Sequence, residues 1–274
     1  MSLEEKTVGR ASPAAPSGLR SGISVVLVYL RSMGAFALVW YVAAKWIGNP
    51  ILLPDPIQVA QSLYSLLLSG DVFSNSITSL RRLAISFLAA SASGIALGLI
   101  MGMNRVVFAL FDPLIELLRP ISGIAWIPLG MFFLGVGEAL PTAIMFYGAF
   151  FPIVINTIVG VRSVDMKLIQ VAEVLGVGRR SIIANVVLPA SLPNILVGLR
   201  LGAGAAWTAM VAAELIGAPS GLGFAIEWYR QLLMTPSVLA FVFLIGLFGY
   251  LLDRFLRALQ TTLTPWAAEA GAVR

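Results

Sequence analysis

Asp165-Met-Lys-Leu-Ile-Gln-Val-Ala-Glu-Val-Leu-Gly176, continued by Val177-Gly-Arg-Arg-Ser-Ile-Ile-Ala-Asn-Val-Val-Leu-Pro189, is a polar island in an otherwise oily chain. Leu168, Val171, Ala172 and Leu175 recur at i, i+3, i+4 and i+7, so they share one face of a helix. Gly176 stands where a C-terminal glycine cap would close that helix. A second short helix is expected from about Arg180, and Pro189 and Pro193 lead from it into the next apolar run. Arg162, Asp165, Lys167, Glu173, Arg179 and Arg180 keep residues 162–194 out of a hydrocarbon layer. A helix–turn–helix outside a membrane with an apolar stripe needs a partner to cover the stripe. Small residues at Ala172 and Gly176 let another backbone come close.

Around this island lie six apolar runs, approximately residues 25–47, 83–103, 113–134, 140–161, 195–216 and 238–256. Each is near the length of about 20 residues needed to cross about 30 Å of hydrocarbon. Composition agrees: 59% of the 274 residues are apolar and 11% charged, with a mean hydropathy of +0.94. A soluble domain carries roughly a quarter charged residues, because its surface faces water. The expected fold class is therefore an all-α membrane protein with six transmembrane helices. Residues 1–24 read as a disordered tail, 25–259 as the membrane domain with its polar loop at 162–194, and 260–274 as a second tail. Within residues 48–80, Val59, Leu63, Leu66 and Leu67 follow Leu53-Pro-Asp-Pro56 at helical spacing, which predicts a short amphipathic helix on the membrane surface.

Topology accounts for the net charge of +5 better than nucleic acid does, since the basic residues form no continuous patch. With both termini inside, the inner segments hold Lys6, Arg10, Arg20, Arg105, Arg162, Lys167, Arg179, Arg180, Arg254, Arg257 and Arg274. The outer side holds Lys45, Arg81, Arg82 and Arg230, so the positive-inside bias is clear and Arg81 and Arg82 are its exceptions. The chain has no cysteine and no histidine, which removes disulfides, thiol nucleophiles and imidazole acid–base chemistry. No glycine is followed by lysine, so no phosphate-binding loop for ATP is present.

Charges inside the spans need partners or water. Arg200 and Glu214 each cost about 2.5–3.5 kcal/mol at a span centre. They are separated by about 21 Å of helix, too far to pair with each other. They read either as structural pairs with neighbouring helices or as pathway or gate residues. Trp126 and Trp207 read as packing residues or, less simply, as part of the pathway. Gly198, Gly202, Ala203, Gly204, Ala205 and Ala206 make the fifth span small-sided, for close packing or for a pathway that opens. Asp112, Glu116 and Arg119 are spaced for an ion cluster on one helix.

The island resembles the "EAA loop" of type I ABC importer permeases, and the resemblance extends from Leu53 to Leu259. It is carried by Ser79-Leu-Arg-Arg82, Asp112-Pro-Leu114, Arg119-Pro-Ile121, Ala125-Trp-Ile-Pro-Leu129 and Gly135-Val-Gly-Glu138. Further matches are Phe151-Pro152, Asn156-Thr157, Gly160-Val-Arg-Ser-Val-Asp165, Gly198-Leu-Arg200, Ala206-Trp207, Ala213-Glu214 and Gly221-Leu-Gly223. It is closest to the nitrate/sulfonate/taurine/bicarbonate branch. The resemblance implies the type I permease fold with a coupling helix that docks on a separate ABC ATPase, which holds the ATP and Mg. The coupling residues it implies are Leu168, Gln170, Val171, Ala172, Glu173, Leu175, Gly176, Arg179, Leu188 and Pro189. It further implies a bacterial cell-membrane location, an extracytoplasmic binding protein, a second permease copy, favoured as identical, and a small anionic solute. Two departures stand out. Gln170-Val-Ala172 replaces Glu-Ala-Ala, which leaves open a salt bridge at 170 or its replacement by Glu173, and Ile121-Ser-Gly-Ile124 replaces a segment usually richer in proline, where altered helix bending is expected. The rival reading is an ion-gradient-driven transporter or channel, which leaves residues 162–194 without a task.

Overall fold

A computed structural model of the chain describes residues 18–266, and all regular structure among them is helical. The expected tails at 1–17 and 267–274 lie outside the described residues, whereas 18–24 and 260–263 belong to helices. The chain divides after Ile57 into two compact units. The first contains α1, Gly18–Ile47, and the turn that follows it. Gly48, at φ +64°, ends this helix, Trp40 Nε1 donates to the Pro54 carbonyl, and Lys45 pairs with Asp55 at 3.3 Å.

Pro56 opens α2, Pro56–Leu68, where a missing N–H costs nothing. Val59 and Leu66 are buried as the helical spacing predicted, while Leu67 is exposed. In the second unit follow α3 (Asp71–Met103), α4 (Arg105–Leu118), α5 (Ile127–Leu134) and α6 (Ala139–Arg162). Next come α7 (Met166–Val174), α8 (Arg179–Ile182), α9 (Leu188–Gly217), α10 (Leu222–Gln231) and α11 (Thr235–Leu263). Among the described residues four helices are long and apolar enough to cross a membrane, or five if one bent pair forms a single span.

That bent pair corrects the sequence reading. Residues 113–134 were expected as one span, yet α4 and the segment Gly123–Leu134 meet at 83°. Pro120 and Pro128 lack the N–H groups a continuous helix needs, and the intervening turn is held locally by Ser122 Oγ accepting from the Ile124 amide. The fifth expected span also differs: helical structure runs from Arg179 to Gly217, through one wide turn at Ile183–Val187 where the Leu188 amide reaches the Ile183 carbonyl. A proline ring clashes with the carbonyl four residues before it, and the wide turn gives Pro189 that room.

At the centre lies α6, the most buried of the long helices. It runs in the same direction as α3: Ser86 Oγ donates to the Thr142 carbonyl near one end, and Gly102 abuts Val161 near the other. It is antiparallel to α9, since Gly217 meets Leu140 and Gly160 meets Ser191. Gly94, Gly98 and Gly102 lie against Ile153, Thr157 and Val161, where a Cβ would come within 2.5–3.0 Å of the facing side chains. In lipid there is no hydrophobic drive between helices, so such close backbone approach supplies the packing energy. Gly198, Gly202, Ala203 and Ala206 are buried in the α9 half of this seam, while Gly204 faces open space.

Candidate functional site

The bundle has two chemically distinct ends, joined by α3, α6 and α9. At the end where α6 finishes, Asp165 accepts a hydrogen bond from the Lys167 amide and so caps α7. The helix closes as the sequence predicted. Gly176 is at φ +75°, its amide reaches the Glu173 carbonyl and the Val177 amide reaches Ala172, the paired bonds of a glycine-ended helix. The apolar residues of α7 divide into two faces. Ala172 is buried with Val161, Val164, Ile182 and Val187, and Ile169 packs against them. Leu168, Val171, Val174 and Leu175 point away from the chain, with Val174 88% and Leu175 75% exposed. Gln170, Glu173, Arg179, Leu188 and Pro189 are exposed as well. Ala172 is thus taken up by the chain itself, and Val174, which the heptad-like reading omitted, is the most exposed apolar residue of the face.

At the opposite end, Arg82 is 1% exposed and all of its guanidinium N–H groups are used. Nε and Nη2 grip the Glu138 carboxylate side-on, Nη1 donates to Glu214 at 2.9 Å and to the Ser220 carbonyl at 2.6 Å, and Nη2 also reaches Ser220 Oγ. Glu214, 0% exposed, further accepts from Ser79 Oγ and from the Gly223 amide at 3.0 Å. Ser79 Oγ accepts in turn from the Leu222 amide, and Asn75 Oδ1 accepts from Gly221. Gly221 is at φ +114°, and a Cβ there would lie 2.5 Å from the Glu214 carboxylate. The Gly221-Leu-Gly223 pattern is therefore the space left for Glu214. Arg81 donates to Glu138 at 3.0 Å, and the hydrogen bonds from the two arginines hold the Glu138 carboxyl below its ordinary value, that from Arg82 first.

Between the ends, the break at 119–122 opens a hollow of about 320 Å³. Arg119, Ser122, Tyr147, Pro152 and Thr208 line it. Tyr147 Oη donates to the Leu118 carbonyl at 2.6 Å, which satisfies a helix-end acceptor that lipid cannot. Irregular backbone at membrane depth is tolerated where protein buries it or where it lines a water-filled cavity. Trp126 packs beside Tyr147, and its indole N–H is buried without a partner. Trp207 is buried against Gly249 of α11. Arg200 forms a two-bond pair with Asp253, at 2.6 and 3.2 Å, that ties α9 to α11. None of the ion pairs among the described residues joins Asp112, Glu116 and Arg119. The cluster expected there does not form, although Arg119 keeps helical geometry at the end of α4.

A family model described as "binding-protein-dependent transport system inner membrane component" matches residues 94–264. The chain belongs to that family. A putative ABC transporter permease of Methanocaldococcus jannaschii is 44% identical over 90% of this chain and 97% of its own length. The taurine transport system permease of Escherichia coli is 36% identical over 87% of this chain and 90% of its own. Relatives named for aliphatic sulfonates, nitrate and bicarbonate stand at 38%, 34% and 34% identity. Among solved structures, the inward-facing MetNI methionine ABC transporter superposes with a TM-score of 0.54 at 19% identity, over 70% of this chain and 95% of that one, a likeness of fold. The permease is accordingly a transport subunit and not an enzyme, ATP hydrolysis in these importers being the work of a separate chain.

The Arg82 network was the part of this permease that sequence reasoning missed. Arg81 and Arg82 stood as unexplained exceptions to the charge bias, and Glu214 as a buried charge without a partner. The available signal was that one unexplained cation and one unexplained anion each required a counterion.

Proposed function

We propose that two copies of this permease form a translocation unit of six spans per chain: α1, α3, the bent α4–α5 pair, α6, α9 and α11. Both termini and α7 face the cytoplasm of the cell. The apolar face of α7 seats in a groove of an ABC ATPase that carries ATP and Mg, and an extracytoplasmic binding protein delivers solute at the end held by Arg82. The exposed side chains Leu168, Val171, Val174 and Leu175 carry this reading, because a rigidly capped helix outside the spans with its apolar face uncovered calls for a partner. Gln170 and Glu173 flank that face and supply polar contacts at its rim.

The solute is a small anion of the sulfonate, taurine, nitrate or bicarbonate type. The names of the relatives support this class. The hollow at the α4–α5 break lends it a chemical basis, with the basic Arg119 and the hydroxyl-bearing Ser122 and Thr208 lining one space. ATPase closure would move α7 with the bundle as a rigid body and switch access from one end to the other. Glu214 and Arg200 serve as structural pairs in this scheme, and Trp126 is the tryptophan beside the pathway.

Val174→Asp tests the docking step without disturbing the core, since this side chain touches little of its own chain. The variant is expected in the membrane at wild-type levels but without co-purifying ATPase. Undiminished recovery of the ATPase with Val174→Asp, and again with Leu175→Asp, would reject α7 as the dock.

A further inference from the structure

Beneath α7, on the side away from Leu168, Val171, Val174 and Leu175, lies a cavity of about 920 Å³. Met103, Phe108, Val161 and Ile182 form an apolar part of its wall, and Arg105, Arg162 and Arg179 line it together with a single carboxylate, Glu173. Met103 is the last residue of α3, Arg105 the first of α4 and Arg162 the last of α6. The cavity therefore opens at the level where three apolar helices leave the hydrocarbon. The Arg162 guanidinium lies 3.6 Å over the Phe108 ring, which holds its charge on the wall. None of the ion pairs among the described residues involves any of the three arginines. Asp112 and Glu116 line a separate, neighbouring cavity that shares Arg162 and Phe108.

We propose that this cavity binds the phosphate headgroup of an anionic phospholipid, with the glycerol and first acyl carbons against Phe108 and Val161. A free inorganic anion would satisfy the arginines and leave the apolar walls wet. An anionic lipid already has its phosphate at this depth and its chains alongside the spans, and basic pockets between membrane helices are suited to such headgroups. Bound there, the lipid would link Arg179 of α8 to Arg105 and Arg162 at the ends of α4 and α6, fixing the inner face of the helix–turn–helix. This inference requires only that the chain spans a membrane, and it stands or falls separately from docking on an ATPase.

The test is native mass spectrometry of the full-length permease in mild detergent, with phosphatidylglycerol and phosphatidylcholine offered in competition. The wild type should retain one phosphatidylglycerol in preference by roughly tenfold or more, the scale that two arginines near an anionic headgroup set. Arg105→Gln combined with Arg162→Gln should lose the preference, while Arg230→Gln, on α10, should keep it. Millimolar inorganic phosphate should leave the lipid bound. Equal retention of the two lipids by the wild type overturns the proposal without recourse to any variant. So does an unchanged preference in the double variant. Displacement by inorganic phosphate would make this a free-anion site instead, and displacement by added ATPase would assign the cavity to a protein partner.

Discussion

Where α6 begins, Arg82 gives every N–H of its guanidinium to protein oxygens. Where α6 ends, none of the ion pairs among the described residues involves Arg105, Arg162 or Arg179, and Leu168, Val171, Val174 and Leu175 are exposed. One end is chemically finished within a single chain, and the other leaves basic and apolar side chains uncovered by the described residues. The proposal of one fixed end and one docking end rests on this difference. Buried, fully bonded charge specifies a single arrangement, because any displacement strands a charge in a low dielectric. Exposed apolar surface on a capped helix is what the proposed partner would cover.

The largest expected effect comes from breaking the finished end. Arg82→Ala leaves Glu214 buried without its cation, and removal of one partner from such a pair typically costs about 3–5 kcal/mol. Thermal unfolding of the purified permease should show that loss, and Arg82→Met combined with Glu214→Leu should recover part of it. A loss below about 1 kcal/mol for Arg82→Ala would mean that this end is not fixed by its charges. Gly221→Ala strikes the same end through space rather than charge. Its Cβ would press on the Glu214 carboxylate at a φ of +114°, with an expected cost of about 1–3 kcal/mol. If that substitution left stability unchanged, the 2.5 Å approach would not be what requires glycine there.

At the end that carries α7 a glycine acts through the backbone alone. No atom lies within 4 Å of where a Gly176 Cβ would be, so a side chain there meets no obstacle. The φ of +75° is the only penalty, about 1–2 kcal/mol for an ordinary residue and less for asparagine. Gly176→Val should therefore destabilise modestly and weaken ATPase recovery, and Gly176→Asn should restore most of both. Equal defects in the two variants would show that the surface at 176, not its backbone, matters.

These two glycines also mark what was legible in the sequence. Gly176 ends a helix whose own periodicity announces it, and every bond of its cap lies within a few residues. Gly221 is explained only by Glu214, and the Arg82 bonds to Glu138 and Glu214 join residues 56 and 132 positions apart. No local pattern encodes such pairings. The α4–α5 break fell between these cases. Pro120 and Pro128 were in view, but an apolar run reads as one span because hydropathy registers length and not direction. Ala172 was assigned to the right helix and the wrong face, since four apolar positions at helical spacing define a stripe but not which edge the chain itself covers.

The smallest effect tests the rim of the finished end, where Glu138 is 51% exposed and water already competes with the arginines. The Arg82 hydrogen bond holds the Glu138 carboxyl below its ordinary value of 4.5, so the folded state gives up this proton more readily than the unfolded chain. Its contribution is thus complete above pH 4.5 and disappears as pH falls through the lowered value. Glu138→Gln removes the titration but keeps the shape. The lead of the wild type over this variant in melting temperature should hold steady near neutrality and narrow below pH 4.5. A lead that stayed constant across that range would mean that Glu138 contributes by packing alone, leaving Glu214 as the counterion that fixes Arg82. The comparison between the two ends would then rest on the single buried pair rather than on the whole network.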